Sequence, residues 1–507
     1  MNNLTNSLQK YFGHSCFRPQ QQAIIQSILD GKDLLAVLPT GGGKSLCYQL
    51  PAMLLPGLTL VISPLVSLMK DQVDDLKSRG IQADWINSTL TPKQLREKLS
   101  DLANGQCKLL YVAPERLKSD DFLFLINTLS VNLIAVDEAH CVSTWGHDFR
   151  PSYKKLGKLL TELSDRPPIA GFTATATPSV KEDIVKLLYL EQPKIFQATF
   201  DRPNLYFQVE KPVDKKLWLL EHLPKLGRSC IIYCATRKDV EVLANLLRSS
   251  GEDPLTYHAG LSKKLRNQAQ EDFLERDDAL LFATNAFGMG IDKQDVRSII
   301  HYQMPADLES YYQEAGRAGR DGQKSCCILL FSPGDVSLQR QMIFSRPAYY
   351  GGNRVNRLAK LNAITNYVMS GSCLRQSILT YFSEDTSSCG NCQNCAARPP
   401  SRDATREAQI LLSTLHYIKG KAPAGLIPAI VRGSKKKVIL EKQLDTLSTY
   451  GLLKNYPERS LQLLLLDLQA KGFLEKTNKK FATTYITPLG VDLLKGERQY
   501  LTKIGGY

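Results

Sequence analysis

Short apolar runs alternate with longer amphipathic stretches over the first two-thirds of the chain. Leu34 to Leu38, Leu58 to Ile62, Leu109 to Val112, Leu133 to Val136 and Ile169 to Phe172 read as buried strands, each followed by a stretch with helical spacing. A second set follows at Cys230 to Cys234, Leu255 to His258, Leu280 to Thr284, Ile299 to Tyr302 and Cys327 to Phe331. Strand and helix in alternation predict a parallel sheet wrapped by helices, here twice in tandem. Between the sets, Phe200-Asp201-Arg202-Pro203-Asn204 and Lys211-Pro212 carry strand breakers and read as a connector. After Pro333 the β pattern stops and a helical region begins. The last hundred residues carry helical periodicity and then two short strand-like runs within Lys476 to Pro488, joined at Asn478-Lys479-Lys480. Helices followed by a basic hairpin suggest a winged helix, a pattern other small folds share. The expected divisions are 1–205, 206–335, 336–400 and 401–500.

Composition sharpens this picture in two places. Hydrophobic residues at 43% and charged residues at 22% are globular values that exclude collagen, coiled coil and wholesale disorder. Sixty-four Lys and Arg against 50 Asp and Glu leave a net charge of +14, which leans toward a polyanionic partner. From Ala396 to Tyr507 there are 19 basic and 9 acidic residues, so +10 of that excess lies in the last fifth of the chain. The polar start Met1-Asn2-Asn3-Leu4-Thr5 lacks a basic segment followed by an apolar one, so no secretory leader and no membrane span are expected. The expected compartment is the cytoplasm, beside the nucleoid.

Pro39-Thr40-Gly41-Gly42-Gly43-Lys44-Ser45 follows an apolar strand and opens a helix, the context of a phosphate loop. Glycines let backbone N–H groups wrap phosphates, Lys44 reaches the β and γ oxygens, and the Ser45 hydroxyl is a Mg²⁺ ligand. The strict pattern wants Gly six residues before the lysine, where this chain has Leu38. Downstream, Asp137 and Glu138 end an apolar strand. Adjacent side chains there point apart, so Asp137 can serve the Mg²⁺ shell while Glu138 orients an attacking water. The sequence from Cys141 to Pro151 then places Trp145, His147, Phe149 and Arg150 just after the acidic pair. Trp145 and Phe149 read either as bases' stacking partners or as core.

Cys373, Cys389, Cys392 and Cys395 place four thiols in 23 residues, with two successive CxxC steps. In a reducing compartment that is a metal site, and both tetrahedral Zn²⁺ and an iron-sulfur cluster use such ligands. Cys47, Cys230, Cys234, Cys326 and Cys327 read as core. Near the C-terminus Arg432-Gly433-Ser434-Lys435-Lys436-Lys437 stands near the start of an expected helix, with a phosphate-contact reading and a solvated-surface reading both open.

These motifs together resemble superfamily 2 helicases, and within them the RecQ family of DNA helicases, over nearly the whole chain. Phe17-Arg18-Pro19-Gln20-Gln21 resembles the family's adenine-recognition motif, with Gln21 and Arg18 at its base-reading positions and His14 where members often place Tyr. Ser63-Pro64-Leu65, Asn87-Ser88-Thr89 and Ala113-Pro114-Glu115-Arg116 resemble the strand-tracking motifs. Phe172-Thr173-Ala174-Thr175-Ala176 resembles the one that couples hydrolysis to motion. Tyr257 to Leu261, Ala283 to Asp292 and Gln313-Glu314-Ala315-Gly316-Arg317-Ala318-Gly319-Arg320 resemble the signatures of the second motor domain. Two Arg three residues apart share one face of a helix, so Arg317 and Arg320 are both expected to point across a cleft toward a γ-phosphate.

The resemblance implies an α/β fold of two tandem RecA-like parallel-sheet domains, then a helical zinc-binding platform, with Cys373 on a preceding helix, and a winged-helix domain. It implies ATP and Mg²⁺ as reactants, structural Zn²⁺, 3′ to 5′ movement on single-stranded DNA, and unwinding of duplex DNA in recombination, repair and replication. A monomer is expected, with single-stranded and duplex DNA and a single-stranded-DNA-binding protein as partners and no additional C-terminal helical domain. An RNA helicase, a non-unwinding DNA translocase, and a zinc winged-helix protein with a dead nucleotide fold are the competing readings.

Overall fold

A computed structural model of the chain describes residues 2–504 except 65, 88–89, 119, 147–149, 151, 154–155, 158–165, 227–228, 289–292, 346–353, 398–399, 419–421 and 478–482. Seven parallel strands form the first sheet: β1 (Leu34–Val37), β2 (Leu58–Ile62), β3 (Ala83–Ile86), β4 (Leu109–Val112), β5 (Val131–Val136), β6 (Ile169–Thr173) and β7 (Lys194–Gln197). Their order is β3-β4-β2-β5-β6-β1-β7. Helices cover both faces, so β1, β2 and β4 are buried at every position and their sequences are continuous apolar runs rather than alternating ones.

The second sheet has six parallel strands: β8 (Leu205–Glu210), β9 (Cys230–Tyr233), β10 (Leu255–Tyr257), β11 (Leu280–Ala283), β12 (Ser298–His301) and β13 (Ser325–Leu330). They lie in the order β10-β11-β9-β12-β13-β8. The ten expected strands are all present, and β3, β7 and β8 are additional. All three lie at sheet edges, where one flank is open and the apolar signal is weak. β7 buries only Phe196, and β8 alternates buried and half-buried residues.

Helices Arg354–Met369 and Leu374–Tyr381 then pack beside the second sheet, carrying the cysteine cluster. The C-terminal unit contains helices Thr405–Ile418, Ile427–Val431, Lys437–Glu441 and Glu458–Ala470 around its own core of Leu411, Leu412, Ile430, Leu464 and Leu468. Antiparallel β14 (Leu474–Lys476) and β15 (Thr484–Ile486) form the expected hairpin, while its Asn478-Lys479-Lys480 turn lies outside the described residues. This is the winged helix that the sequence pattern suggested. Among the described residues no helix is long and apolar enough to cross a membrane.

Candidate active site

Three neighbouring strands, β5, β6 and β1, deliver the site from their C-terminal ends, where ligands bind in open parallel sheets. Val37 pairs with Thr173 and Val136 with Gly171, so the three loops leave the sheet side by side. Beyond β1, Leu38 is buried. Its N–H donates to the Thr173 carbonyl at 3.0 Å, and its own carbonyl accepts Lys44 Nζ at 3.2 Å. The residue that departs from the strict phosphate-loop pattern is thus an extension of the strand, where a side chain is useful.

Gly41 and Gly43 have φ of 81° and 73°, so the loop turns through left-handed backbone before helix Lys44–Leu54 opens. A Cβ on Gly43 would lie 2.3 Å from Gln21 Nε2. Glycine therefore admits Gln21, which is buried and donates to the Gly43 carbonyl at 3.1 Å. Gln21 Oε1 accepts the Arg18 N–H at 2.8 Å, and the Arg18 guanidinium donates to the Gly41 carbonyl. Adenine-motif residues and phosphate loop are consequently one hydrogen-bonded unit. His14 is exposed, and Thr40 and Ser45 are half-buried. Ser45 Oγ accepts Gln72 Nε2 at 3.0 Å, a partner that sequence reasoning did not single out.

The acidic pair follows β5. Asp137 is buried, and burial pushes its carboxyl up to about 7; the adjacent Glu138 charge adds to the rise and Lys44 opposes it. Glu138 sits at φ 47°, ψ 48°, a left-handed conformation that costs a non-glycine residue about 1–3 kcal/mol. Its carboxylate lies beside His140, whose Nδ1 lies 3.2 Å from Glu138 Oε2 and 2.9 Å from Thr173 Oγ1. His140 therefore bridges the acidic pair and the β6 motif. Tyr153 is also buried here, and its hydroxyl donates to the Asp137 carbonyl at 3.2 Å. Neither residue was assigned a part from sequence. The signal for His140 was its place two residues after Glu138, but its partner lies 33 residues further on.

From the second sheet comes the arginine turn. A Cβ on Gly41 would meet Arg320 Cγ at 3.5 Å and Cδ at 3.7 Å, and one on Gly316 would meet Thr40 Cβ at 3.8 Å. Arg320 thus lies beside the phosphate loop, at ordinary contact distance from where a Gly41 Cβ would stand. The shared helical face expected for Arg317 and Arg320 is not found. Helix Leu308–Ala315 stops before both, Gly316 is its C-cap, and Gly319 at φ 55° turns the chain. Arg317 is buried in its own domain with its guanidinium on the Gly288 carbonyl. Only Arg320 meets the loop; a turn has no three-residue repeat to align the two.

Past the acidic pair, Trp145 is 44% exposed, which removes the core reading for that residue. A Cβ on Gly146 would lie 2.3 Å from the His140 carbonyl, so the loop folds tightly back on the hydrolytic residues. Arg150 Nη1 donates to the Pro64 carbonyl at 2.8 Å, tying this loop to a strand-tracking motif. His147 and Phe149 lie outside the described residues, as do Leu65, Ser88, Thr89 and residues 289–292. A cleft of about 360 Å³ separates Thr144 and Gly146 from Asn285 and Gln303 of the second domain and from Arg357 and Lys360 of helix Arg354–Met369.

The four thiols converge: the sulfurs of Cys373, Cys389, Cys392 and Cys395 all lie within 4.8 Å of one another. Tetrahedral zinc with bonds of about 2.3 Å requires sulfurs about 3.8 Å apart, so the set fits the ion. Backbone N–H groups already point at the sulfurs, from Gln376 and Cys389 to Cys373 and from Leu374 to Cys392. Although burial opposes it, those donors draw the Cys373 thiol down to about 7, toward the thiolate a metal needs. Cys373 caps the N-terminus of helix Leu374–Tyr381 rather than lying within a helix. Of the cysteines read as core, Cys47, Cys230, Cys234 and Cys327 are buried, and Cys326 is half-buried.

On the winged helix, Lys435 and Lys436 are exposed, and the helix after them, Lys437–Glu441, has only five residues. Lys436 Nζ lies 3.4 Å from Glu458, which Arg432 also approaches at 3.6 Å. The run is therefore a partly neutralised surface, and so short a helix adds little field to it.

Residues 18–184 match the DEAD/DEAH box helicase family, 214–322 the helicase conserved C-terminal domain, 333–396 the RecQ zinc-binding family and 398–504 the RQC domain. The chain is 41% identical to the ATP-dependent DNA helicase RecQ of Bacillus subtilis, over 97% of this chain and 83% of that protein. It is 40% identical to the ATP-dependent DNA helicase RecQ of Haemophilus influenzae, over 97% of this chain and 79% of that one. Its fold is similar to that of the helicase MrfA bound to DNA, with a TM-score of 0.56 at 19% identity over 79% of this chain and 61% of that chain. With a metal-fitting thiol set, an arginine against a phosphate loop, and this likeness over nearly its full length, the chain belongs to the RecQ helicase family.

Proposed function

We propose that the chain is an ATP-dependent DNA helicase that moves 3′ to 5′ along one strand and separates duplex DNA in recombination, repair and replication. The observation that carries this reading is the closeness of Arg320 to Gly41, which puts an arginine from one domain beside the phosphate loop of the other. A triphosphate there meets Lys44 and the loop N–H groups on one side and Arg320 on the other. Gln21 and Arg18 recognise the base, with His14 at its rim. Glu138 takes a proton from the attacking water, with His140 beside its carboxylate at 3.2 Å. Ser45 and Asp137 would hold Mg²⁺, which neutralises phosphate charge when bound. Arg317 supports the turn by bonding Gly288 rather than by reaching the nucleotide.

His140 gives the hydrolytic residues a mechanical outlet, because it joins Glu138 to Thr173 at the end of β6. Trp145, with His147 and Phe149, stacks on bases of the tracked strand, and Arg150 fixes that loop against Pro64. Zinc on the four cysteines holds the platform, and Lys435 and Lys436 contact duplex phosphates. The protein acts as a monomer on single-stranded and duplex DNA, in the cytoplasm and alongside a single-stranded-DNA-binding protein. The relatives' names, over most of their length, support the DNA substrate. The test is unwinding of duplexes bearing a 3′ or a 5′ single-stranded tail, with ATP and Mg²⁺. Unwinding of the 3′-tailed duplex alone is expected. Preference for the 5′ tail, or equal stimulation of ATP hydrolysis by RNA and DNA oligomers, would overturn it.

A further inference from the structure

The segment between the two sheets is gripped from both sides. On the platform side, Glu384 accepts Thr199 Oγ1 at 2.9 Å and the Phe200 N–H at 2.7 Å, and Phe382 stacks on Phe200 with ring centroids 4.4 Å apart. Arg375 donates to the Pro203 and Leu205 carbonyls at 3.2 and 2.6 Å. Asn391, between two of the metal-site cysteines, donates to the Pro203 carbonyl at 3.0 Å. On the motor side the same segment holds the arginine turn. Arg202 Nη2 donates to the Ala318 and Gly319 carbonyls at 3.1 and 2.8 Å, and Nη1 to the Gly316 carbonyl at 3.4 Å. Asn204 Nδ2 adds a bond to the Gly319 carbonyl at 2.8 Å.

Helix Leu308–Ala315 has ended, so the turn has no repeating N–H partners; the Gly319 carbonyl accepts the Gly322 N–H at 3.0 Å, and the Arg202 guanidinium serves the Gly316 and Ala318 carbonyls as well as adding to Gly319. A guanidinium is suited to the task, since its fork of fixed donors can serve several acceptors at once, which a lysine cannot. The turn it holds is the one that ends in Arg320 against Gly41. We propose that Arg202 is a positioning residue for ATP hydrolysis. It fixes the turn 316–320 so that Arg320 meets the phosphate loop, and it ties that position to the platform through the gripped linker. The platform is then part of the hydrolytic machine as well as a bridge to the winged helix. This rests on the proposed role of Arg320.

The experiment uses the full zinc-loaded chain and measures single-strand-stimulated ATP hydrolysis, affinity for a fluorescent ATP analogue, zinc content and melting temperature. Arg202→Ala is expected to lower kcat by about tenfold or more with analogue affinity and zinc content unchanged. Arg202→Lys should recover part of the loss, and Asn204→Ala should give a smaller fall of the same kind. Arg320→Ala is the control. If it removes hydrolysis while Arg202→Ala and Asn204→Ala keep full kcat, the positioning role is wrong and the role of Arg320 stands. If Arg320→Ala itself keeps full kcat, the reading underneath has failed. A fall in kcat for Arg202→Ala matched by lost zinc or a lower melting temperature, with no loss in Asn204→Ala, would reduce Arg202 to a structural residue and overturn the proposal.

Discussion

The phosphate loop and the arginine turn face each other across one cleft, yet they are held in shape by opposite means. The loop is mostly self-supporting. Its glycines set the path, Lys44 bonds the carbonyl of Leu38, and Gln21 and Arg18, about twenty residues upstream, close it. The turn is held from far away, by Arg202 and Asn204, both more than a hundred residues earlier in the chain. A site half can therefore be local or distributed, and the distributed half is the one other domains can influence.

The comparison can be broken most severely at its point of contact. Arg320→Ala should lower kcat for ATP by about 10³ to 10⁵, the range for arginines that stabilise phosphoryl-transfer charge, while analogue binding survives. Glu138→Gln should cost about 10² to 10⁴ in the same steady-state assay, as expected for loss of a general base. Gly43→Ala strikes the self-supporting half. Its Cβ would displace Gln21 and strain a left-handed residue, so nucleotide affinity should weaken about tenfold, measured by titration with a fluorescent analogue.

A gentler probe is pH. Burial raises Asp137 from 3.8 to about 7, so below that value the carboxyl holds a proton. Mg²⁺ binding, followed by calorimetry in the presence of a non-hydrolysable nucleotide, should weaken as pH falls through about 7. The sign for folding is opposite. A raised carboxylate pKa makes the folded state the better proton binder, so the metal-free protein should lose stability as pH rises from 3.8 to about 7. The smallest expected effect lies outside the cleft. Lys435→Glu with Lys436→Glu should weaken duplex binding and flatten its logarithmic salt dependence by up to about two units, read by fluorescence anisotropy across a salt series.

Much of the architecture was legible because buried parallel strands must be apolar along their length, and ten of the thirteen described strands in the two parallel sheets announced themselves in that way. Three of the four edge strands, β3, β7 and β8, did not: β7 is largely exposed and β8 begins directly after the breakers Pro203 and Asn204. The thiol cluster was legible because CxxC spacing is local, and its four sulfurs do converge. The shared face expected for Arg317 and Arg320 failed for the same reason in reverse. Spacing of three implies a shared face only where a helix continues, and this one ends at Ala315.

By itself the sequence determined the elements whose chemistry is short-range: the phosphate loop, the acidic pair, the cysteine set and the strands that carry them. Tertiary structure alone decided which distant groups complete them. His140 meets Thr173 because β5 and β6 are neighbours, and Arg320 meets Gly41 because two sheets pack across a cleft. A residue's own neighbours in sequence set its backbone and reach. Hydrogen bonds and van der Waals contacts act over a few ångströms of space, and only the packed fold says which atoms come that close.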